Sequence, residues 1–155
     1  MAKSFAGCFR SALMEHGFVR HGAGVILSTE EVACYVAAET FRYRPNVSFG
    51  LWLFSVSPET PPDRHEHYHI YGAADLICGL DIRVHTQAYL KSPEELRAQE
   101  DVVVGMAGSF ADGLRNMTTL VALTSMYASG QFARCLVRKE ADQFLELAGS
   151  ARVGS

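Results

Sequence analysis

The hydrophobic pattern of the chain is clearest between Val47 and Val56, in the stretch VSFGLWLFSV. Apolar residues occupy both sets of alternate positions, with Val47, Phe49, Leu51 and Leu53 on one side and Trp52, Phe54 and Val56 on the other. A strand with two apolar faces is buried inside a fold. Gly50 lies within this run, and a glycine inside a strand marks a bulge or a close backbone approach. The stretch therefore predicts the central strand of a sheet.

The residues before this strand predict a helix and then a short strand. Apolar side chains recur at helical spacing from Phe5 to His16, and Gly17 is placed to end that helix in a left-handed conformation. Residues 25–28 have the composition of a short strand.

Residues 32–43 fit two secondary structures. Ser28 and Glu31 can form the capping box of a helix. Alternate positions are nevertheless apolar, as in a strand: Val32, Cys34, Val36 and Ala38. The turn sequence Arg44-Pro45-Asn46 favours the strand, because a hairpin through it pairs this segment with the central strand.

The C-terminal half predicts helices. Ser92, Pro93 and Glu95 have the order of a capping box with proline at the first helical position. Thr118 can cap a second helix that ends at Gly130, and a third runs over about 131–148. The order of elements predicts an α+β fold, with an antiparallel sheet of three to five strands and the N-terminal and C-terminal helices packed on one face. We expect the C-terminal helices to bury Trp52. We expect one domain over residues 1–149 and a flexible tail over 150–155.

Composition narrows the functional classes. The chain has 155 residues, 48% of them hydrophobic, and a net charge of −3. It is long enough for an apolar core, and its charge gives no general reason to bind nucleic acid or an anionic membrane. The cysteines show no CxxC spacing and are expected to be buried thiols: Cys8, Cys34, Cys78 and Cys135. The sequence has no continuous apolar run typical of a signal peptide or a membrane span, so we expect a cytoplasmic protein.

Several segments together resemble a known group of proteins. A helix followed by GFVRHGAG, the hydrophobic VSFGLWLFSVS and then GLRNMTTLVAL is similar to small uncharacterised bacterial domains. Those domains begin with a helix that ends in Gly-Phe-basic-basic and continue into a β-meander. Gly17, Phe18 and Arg20 carry the resemblance, and His21 follows the single arginine here. The resemblance implies an α+β fold, and it supplies no activity or catalytic residues.

The segment HEHYH suggests a metal site. Its imidazoles alternate, so an extended backbone projects His65, His67 and His69 from one face, and neutral imidazole is the commonest transition-metal ligand. Asp63, Asp81 or His85 can complete such a site. The competing interpretation is a solvated loop, because the segment follows Pro58, Pro61 and Pro62. Under the first interpretation the chain is an enzyme that uses a divalent transition metal.

Aromatic and arginine side chains suggest a binding surface instead. Such side chains are enriched in interface hot spots, and the candidates lie in FRYR and in the histidine-rich loop: Arg42, Arg44, Arg64 and Tyr68. The competing interpretation is that strand alternation places Phe41 and Tyr43 in the core and the arginines in water. The sequence favours a non-catalytic protein-binding domain of the immunity or adaptor type. Its expected partner is a protein or a second copy of the chain, with no nucleic acid and no membrane.

Overall fold

The computed structural model describes residues 5–41, 44–73 and 93–153. These residues form an α+β fold with an N-terminal helix, an antiparallel sheet and C-terminal helices. In chain order the elements are α1 (Phe5–Glu15), β1 (Val19–His21), β2 (Gly24–Ser28), β3 (Val32–Phe41), β4 (Arg44–Leu53), a 3₁₀ turn (His65–His67), β5 (Ile70–Ala73), α2 (Pro93–Arg115), α3 (Leu120–Ala128), β6 (Leu136–Val137) and α4 (Lys139–Val153).

The described strands form a six-stranded meander in the order β1 to β6, and all neighbours are antiparallel. This is one strand more than the expected maximum, because β6 has only two residues and no recognisable alternation. The long pairing of β3 with β4, from Val32↔Leu53 to Phe41↔Arg44, confirms the predicted strand and its partner. The predicted turn is wrong, since residues 44–46 already belong to β4.

The side of the sheet that α1 covers forms the larger core, and we call it the helix face. Helix α1 packs against both β3 and α2, and the rings of Phe9 and Phe110 lie 5.8 Å apart. Strand β4 contributes four buried side chains to this core: Val47, Phe49, Leu51 and Leu53. Their alternation is the reason that the sequence identified β4 as central.

The opposite side of the sheet carries a second cluster, and we call it the loop face. Its buried residues are Ile26, Ala33, Tyr35, Ala37, Trp52 and Tyr68. Residues 57–69, the covering loop, lie over it. The expectation that the C-terminal helices bury Trp52 is therefore wrong, because strand alternation turns Trp52 away from the helices.

The structure confirms some predicted helix ends. Helix α2 begins at Pro93, and Gly17 and Gly130 have φ of 97° and 80° where α1 and α3 end. The predicted cap of α3 is wrong, because Thr119 accepts the hydrogen bond from the Ala122 amide.

The last helix begins later than predicted. The first residues of the expected 131–148 helix form turns and then β6, which pairs with β5. Helix α4 runs from Lys139 to Val153, into the segment predicted as a tail. Six residues that carry predictions lie outside the described residues: Arg42, Tyr43, Cys78, Asp81, His85 and Ser92.

Candidate binding site

The covering loop is fixed to the sheet through its backbone carbonyls. Side chains of β1, β3 and β4 donate hydrogen bonds to successive loop residues. The bonds run from Tyr35 Oη to Asp63 (2.8 Å), from Trp52 Nε1 to Glu59 (3.2 Å) and from His21 Nε2 to Pro61 and Pro62 (2.9 and 3.0 Å). Because each proline carbonyl can only accept, His21 carries its proton on Nε2. The predicted solvated loop is thus an ordered layer of the fold.

Tyr68 anchors the loop above the middle of the sheet. Its ring stacks on Tyr35 at 5.2 Å and its hydroxyl donates to the Pro62 carbonyl at 2.7 Å. The ring also lies against Gly50, where a Cβ atom would be 2.6 Å from Tyr68 Cγ. The group that approaches this glycine is therefore a side chain, and not backbone as predicted. Burial raises the pKa of the Tyr68 hydroxyl, so it stays protonated and donates.

His69 is a structural residue that packs against Trp52 of the second cluster. Its Nδ1 accepts the Leu53 amide at 2.9 Å, so Nε2 carries the proton and faces Ser57 Oγ at 3.3 Å. The ring stacks on Trp52 with centroids 4.1 Å apart. Burial lowers the pKa of His69 to about 4; Glu140 opposes this shift, and Arg138 adds to it. The imidazole is therefore neutral at pH 7 and has both nitrogens engaged.

Arg138 holds the end of the covering loop from the other side. Its Nε donates to the Tyr68 carbonyl at 3.0 Å, and its guanidinium also donates to the Glu66 carbonyl at 2.5 Å. Its backbone amide donates to the His69 carbonyl at 2.8 Å. A single residue after β6 thus satisfies three loop carbonyls.

A cleft of about 480 Å³ opens on the loop face, beside the covering loop and above a part of the sheet that the loop leaves uncovered. The sheet lines it with Tyr35, Ala37, Asn46 and Ser48, and the turn between β1 and β2 adds Ala23. The loop lines it with residues 63–66.

The cause of the cleft is a row of small residues. Ala37, Ser48 and Ala73 are lateral partners on β3, β4 and β5. The next row on the same face consists of Tyr35, Gly50 and Tyr71, and Tyr68 fills the space above its glycine. One row is therefore filled by aromatic rings, and the neighbouring row leaves a depression.

The Ser48 hydroxyl is a buried polar group at the floor of the cleft. Only 9% of Ser48 is exposed, and its hydroxyl has no hydrogen-bond partner within the described residues. Its lateral neighbours, Ala37 and Ala73, have no polar side-chain atoms. Buried hydroxyl groups are normally hydrogen-bonded, so an unpaired one at the floor of a cleft points to a guest molecule or an ordered water.

The loop side of the cleft carries both signs of charge. Asp63 Oδ1 lies 3.7 Å from His21 Nε2, and Glu66 Oε1 lies 3.6 Å from His65 Nδ1. Arg64 forms no ion pair with a carboxylate in the described part of the chain. These side chains can all contact a molecule that enters the cleft from solvent.

The structure separates the histidines proposed as metal ligands. His65 and His67 lie in the 3₁₀ turn rather than on an extended strand, and His69 is buried against Trp52. The described residues contain no group of three or more His, Cys, Asp or Glu side chains that could hold a metal ion. The assumption of an extended HEHYH segment was wrong, because β5 begins at Ile70.

The residues proposed for binding lie in different places in the structure. Arg64 is exposed at the cleft, whereas Tyr68 is fully buried and supports the cleft from behind. Arg44 begins β4, and Arg42 lies outside the described residues. Sequence reasoning missed Ser48, Asn46 and Ala37. The β3–β4 pairing was the signal that could have identified Ala37 and Ser48 as neighbours.

Comparison with protein-family models, with curated proteins and with solved structures finds no match for this chain. Among the helices that the structure describes, none combines the length and the apolar composition needed to cross a membrane.

Proposed function

We propose that this chain is a non-catalytic protein-binding domain, of the immunity or adaptor type, and that the cleft beside the covering loop is its binding site. The observation that carries the proposal is the buried Ser48 hydroxyl, which lacks a partner within the described residues and lines an open cleft. The rigid support of the cleft by Tyr35, Tyr68 and Arg138 agrees with recognition by a largely preformed surface.

The size and composition of the cleft also support binding. A volume of about 480 Å³ accommodates one or two side chains of a partner rather than a whole secondary-structure element. The polar rim provides hydrogen-bonding groups that can fix the orientation of the guest. We propose the cytoplasm as the site of action, where cysteines such as Cys8 and Cys135 remain thiols.

Affinity capture from an extract of the source cells tests this proposal. Wild-type protein is compared at physiological salt with Ser48→Val, which removes the hydroxyl, and with exposed Asn46→Trp, which obstructs the cleft. The matched control is Leu147→Trp, because Leu147 is 72% exposed and lies on α4. We expect one protein to be retained by wild type and control and lost by both cleft variants.

The same set of variants identifies a second copy of the chain as the partner. In that case wild type and Leu147→Trp dimerise with rising concentration in light-scattering measurements, and the two cleft variants stay monomeric. Failure to find a stable partner of either kind, or equal retention by the cleft variants, would contradict the proposal.

A further inference from the structure

We infer that the guest of the cleft is a basic side chain, lysine or arginine, presented by the partner protein. This inference rests on the proposed binding function and specifies the chemistry of the partner. Three properties of the cleft support it: the residues of its floor, its net charge and the exposure of its carboxylates.

The floor of the cleft suits a long side chain with a polar end. Ala37 and the aliphatic part of Ser48 form a narrow apolar surface along which a methylene stem can lie. The Ser48 oxygen can accept a hydrogen bond, and so can the side-chain carbonyl of exposed Asn46. Ammonium and guanidinium groups are pure donors and therefore satisfy both acceptors at once.

The charges at the loop side favour a cation. Asp63 and Glu66 contribute two carboxylates and Arg64 one guanidinium, so the cleft has an excess of one negative charge when histidine is counted as neutral. The whole chain has the same sign, with a net charge of −3. A basic partner is thus attracted at long range and held by the same carboxylates at short range.

Arg64 opposes the effect of the two carboxylates in the cleft. It lines the same cleft as the two acids, so it repels a cationic guest and attracts an anionic one. The side chains of Asp63 and Glu66 are 78% and 54% exposed, which weakens each ion pair and makes it sensitive to salt. We therefore expect the isolated guest to bind weakly, with a dissociation constant of about 1 mM or above.

The probes are capped Gly-Arg-Gly, Gly-Lys-Gly and Gly-Glu-Gly tripeptides, titrated into the full chain and followed by amide chemical shifts. The variants are Asp63→Asn with Glu66→Gln, and separately Arg64→Gln. A matched control removes two exposed carboxylates elsewhere, Glu15→Gln with Glu30→Gln. Spectra of the free proteins verify that each variant is folded.

The expected result is that the two basic peptides shift the amides of Ala37 and Ser48 and that the acidic peptide does not. The double cleft variant binds the basic peptides roughly three- to tenfold more weakly than the control, whereas Arg64→Gln binds them at least as tightly as wild type. Stronger binding of the acidic peptide would overturn the inference, and so would the absence of any shift at Ala37 and Ser48 with the basic peptides.

The two proposals can fail separately. If Ser48→Val and Asn46→Trp abolish partner capture while the basic peptides leave the cleft amides unshifted, the binding function stands and the basic guest is wrong. If no partner is captured while the basic peptides bind at Ala37 and Ser48, the cleft chemistry is correct and the protein-binding function is contradicted.

Discussion

Gly50 sets the distance between the covering loop and the sheet. A Cβ atom at this position would be 2.6 Å from Cγ and 2.9 Å from Cβ of Tyr68, so a side chain there forces the tyrosine away. The displaced tyrosine would lose its stacking on Tyr35 and the hydrogen bond from its hydroxyl to the Pro62 carbonyl. The strand alone tolerates any small residue, and the requirement for glycine comes from the loop above it.

We predict that Gly50→Ala lowers the free energy of unfolding by about 1–3 kcal/mol, because it overpacks the loop face. Gly105→Ala is the matched control, since the added Cβ atom has no neighbour within 4 Å. Alanine in a helix should stabilise the control by up to about 1 kcal/mol. Urea denaturation of both variants measures the difference, and the same sign for both would contradict the close contact between Gly50 and Tyr68.

At the scale of elements, the covering loop is bonded to the sheet, although its sequence predicted a solvated loop. Its carbonyls accept hydrogen bonds from β1, β3 and β4, and Arg138 holds its end. His69 completes this arrangement by accepting the Leu53 amide, so the loop and the end of β4 depend on a neutral imidazole. Protonation would give Nδ1 a hydrogen that faces the amide hydrogen of Leu53.

The pH dependence of stability should report this hydrogen bond. The folded pKa of His69 is about 4, below the unfolded value of about 6.5, so the unfolded state binds the proton more readily. The stabilisation is fully present above about pH 6.5 and is lost as the pH falls toward about 4, by at most about 3 kcal/mol. Glu140 faces His69 and opposes the loss, while Arg138 increases it.

Urea denaturation of wild type and His69→Gln between about pH 7 and pH 4.5 tests this expectation. Glutamine retains an acceptor for the Leu53 amide and does not titrate in this range. We expect the stability advantage of wild type over the variant to shrink as the pH falls. Fluorescence of Trp52, the single tryptophan, should change in folded wild type only as the pH approaches about 4, the pKa of His69, because its ring stacks on that imidazole. A constant difference between the two proteins would show that His69 keeps an ordinary pKa.

At the scale of the whole molecule, one sheet serves two cores. The helix face joins α1 and the C-terminal helices, and the loop face joins Trp52 to the covering loop. The two cores share β3 and β4, whose alternate residues belong to opposite clusters. Loss of either cluster removes support from the strands that form the other, so the faces should unfold together.

We predict that Phe110→Ala, which leaves a cavity on the helix face, destabilises the protein by about 3–5 kcal/mol. Phe110 is fully buried on α2, while Val104 on the same helix is 42% exposed, so Val104→Ala is the control and should cost less than about 1 kcal/mol. Trp52 fluorescence and far-ultraviolet circular dichroism should give coincident transitions in both variants. An unshifted Trp52 transition in Phe110→Ala would show that the two faces unfold independently.

Much of the architecture follows from local patterns. The alternation of Val47, Phe49, Leu51 and Leu53 identifies a buried strand, and Pro93 and Gly17 mark helix ends, because each pattern reflects geometry within a few residues. The β3–β4 hairpin was predictable for the same reason. Local patterns do not fix the exact position of its turn, since residues 44–46 are compatible with the first residues of a strand as well as with a turn.

The candidate site was less accessible to sequence reasoning. The composition of the histidine segment suggested a metal site, but His65 and His67 lie in a 3₁₀ turn and each imidazole has a different environment. No local pattern identified Ser48 as a site residue, because its role depends on its neighbours Ala37 and Ala73 and on the area of sheet that the covering loop leaves uncovered. Lateral neighbours come from three strands, and no local spacing describes them.

The sequence by itself determined the α+β class, the central strand and the two apolar sides of that strand, because alternation and helical spacing act over short distances. The tertiary structure decided which element covers each side. Tyr68 of the covering loop packs against Trp52, so the loop and not a helix covers this side of the sheet, and Tyr68 contacts the sheet at Gly50. The cleft with its buried Ser48 exists because Tyr68 fills one row of the sheet and leaves the next uncovered, which depends on packing between residues distant in the chain.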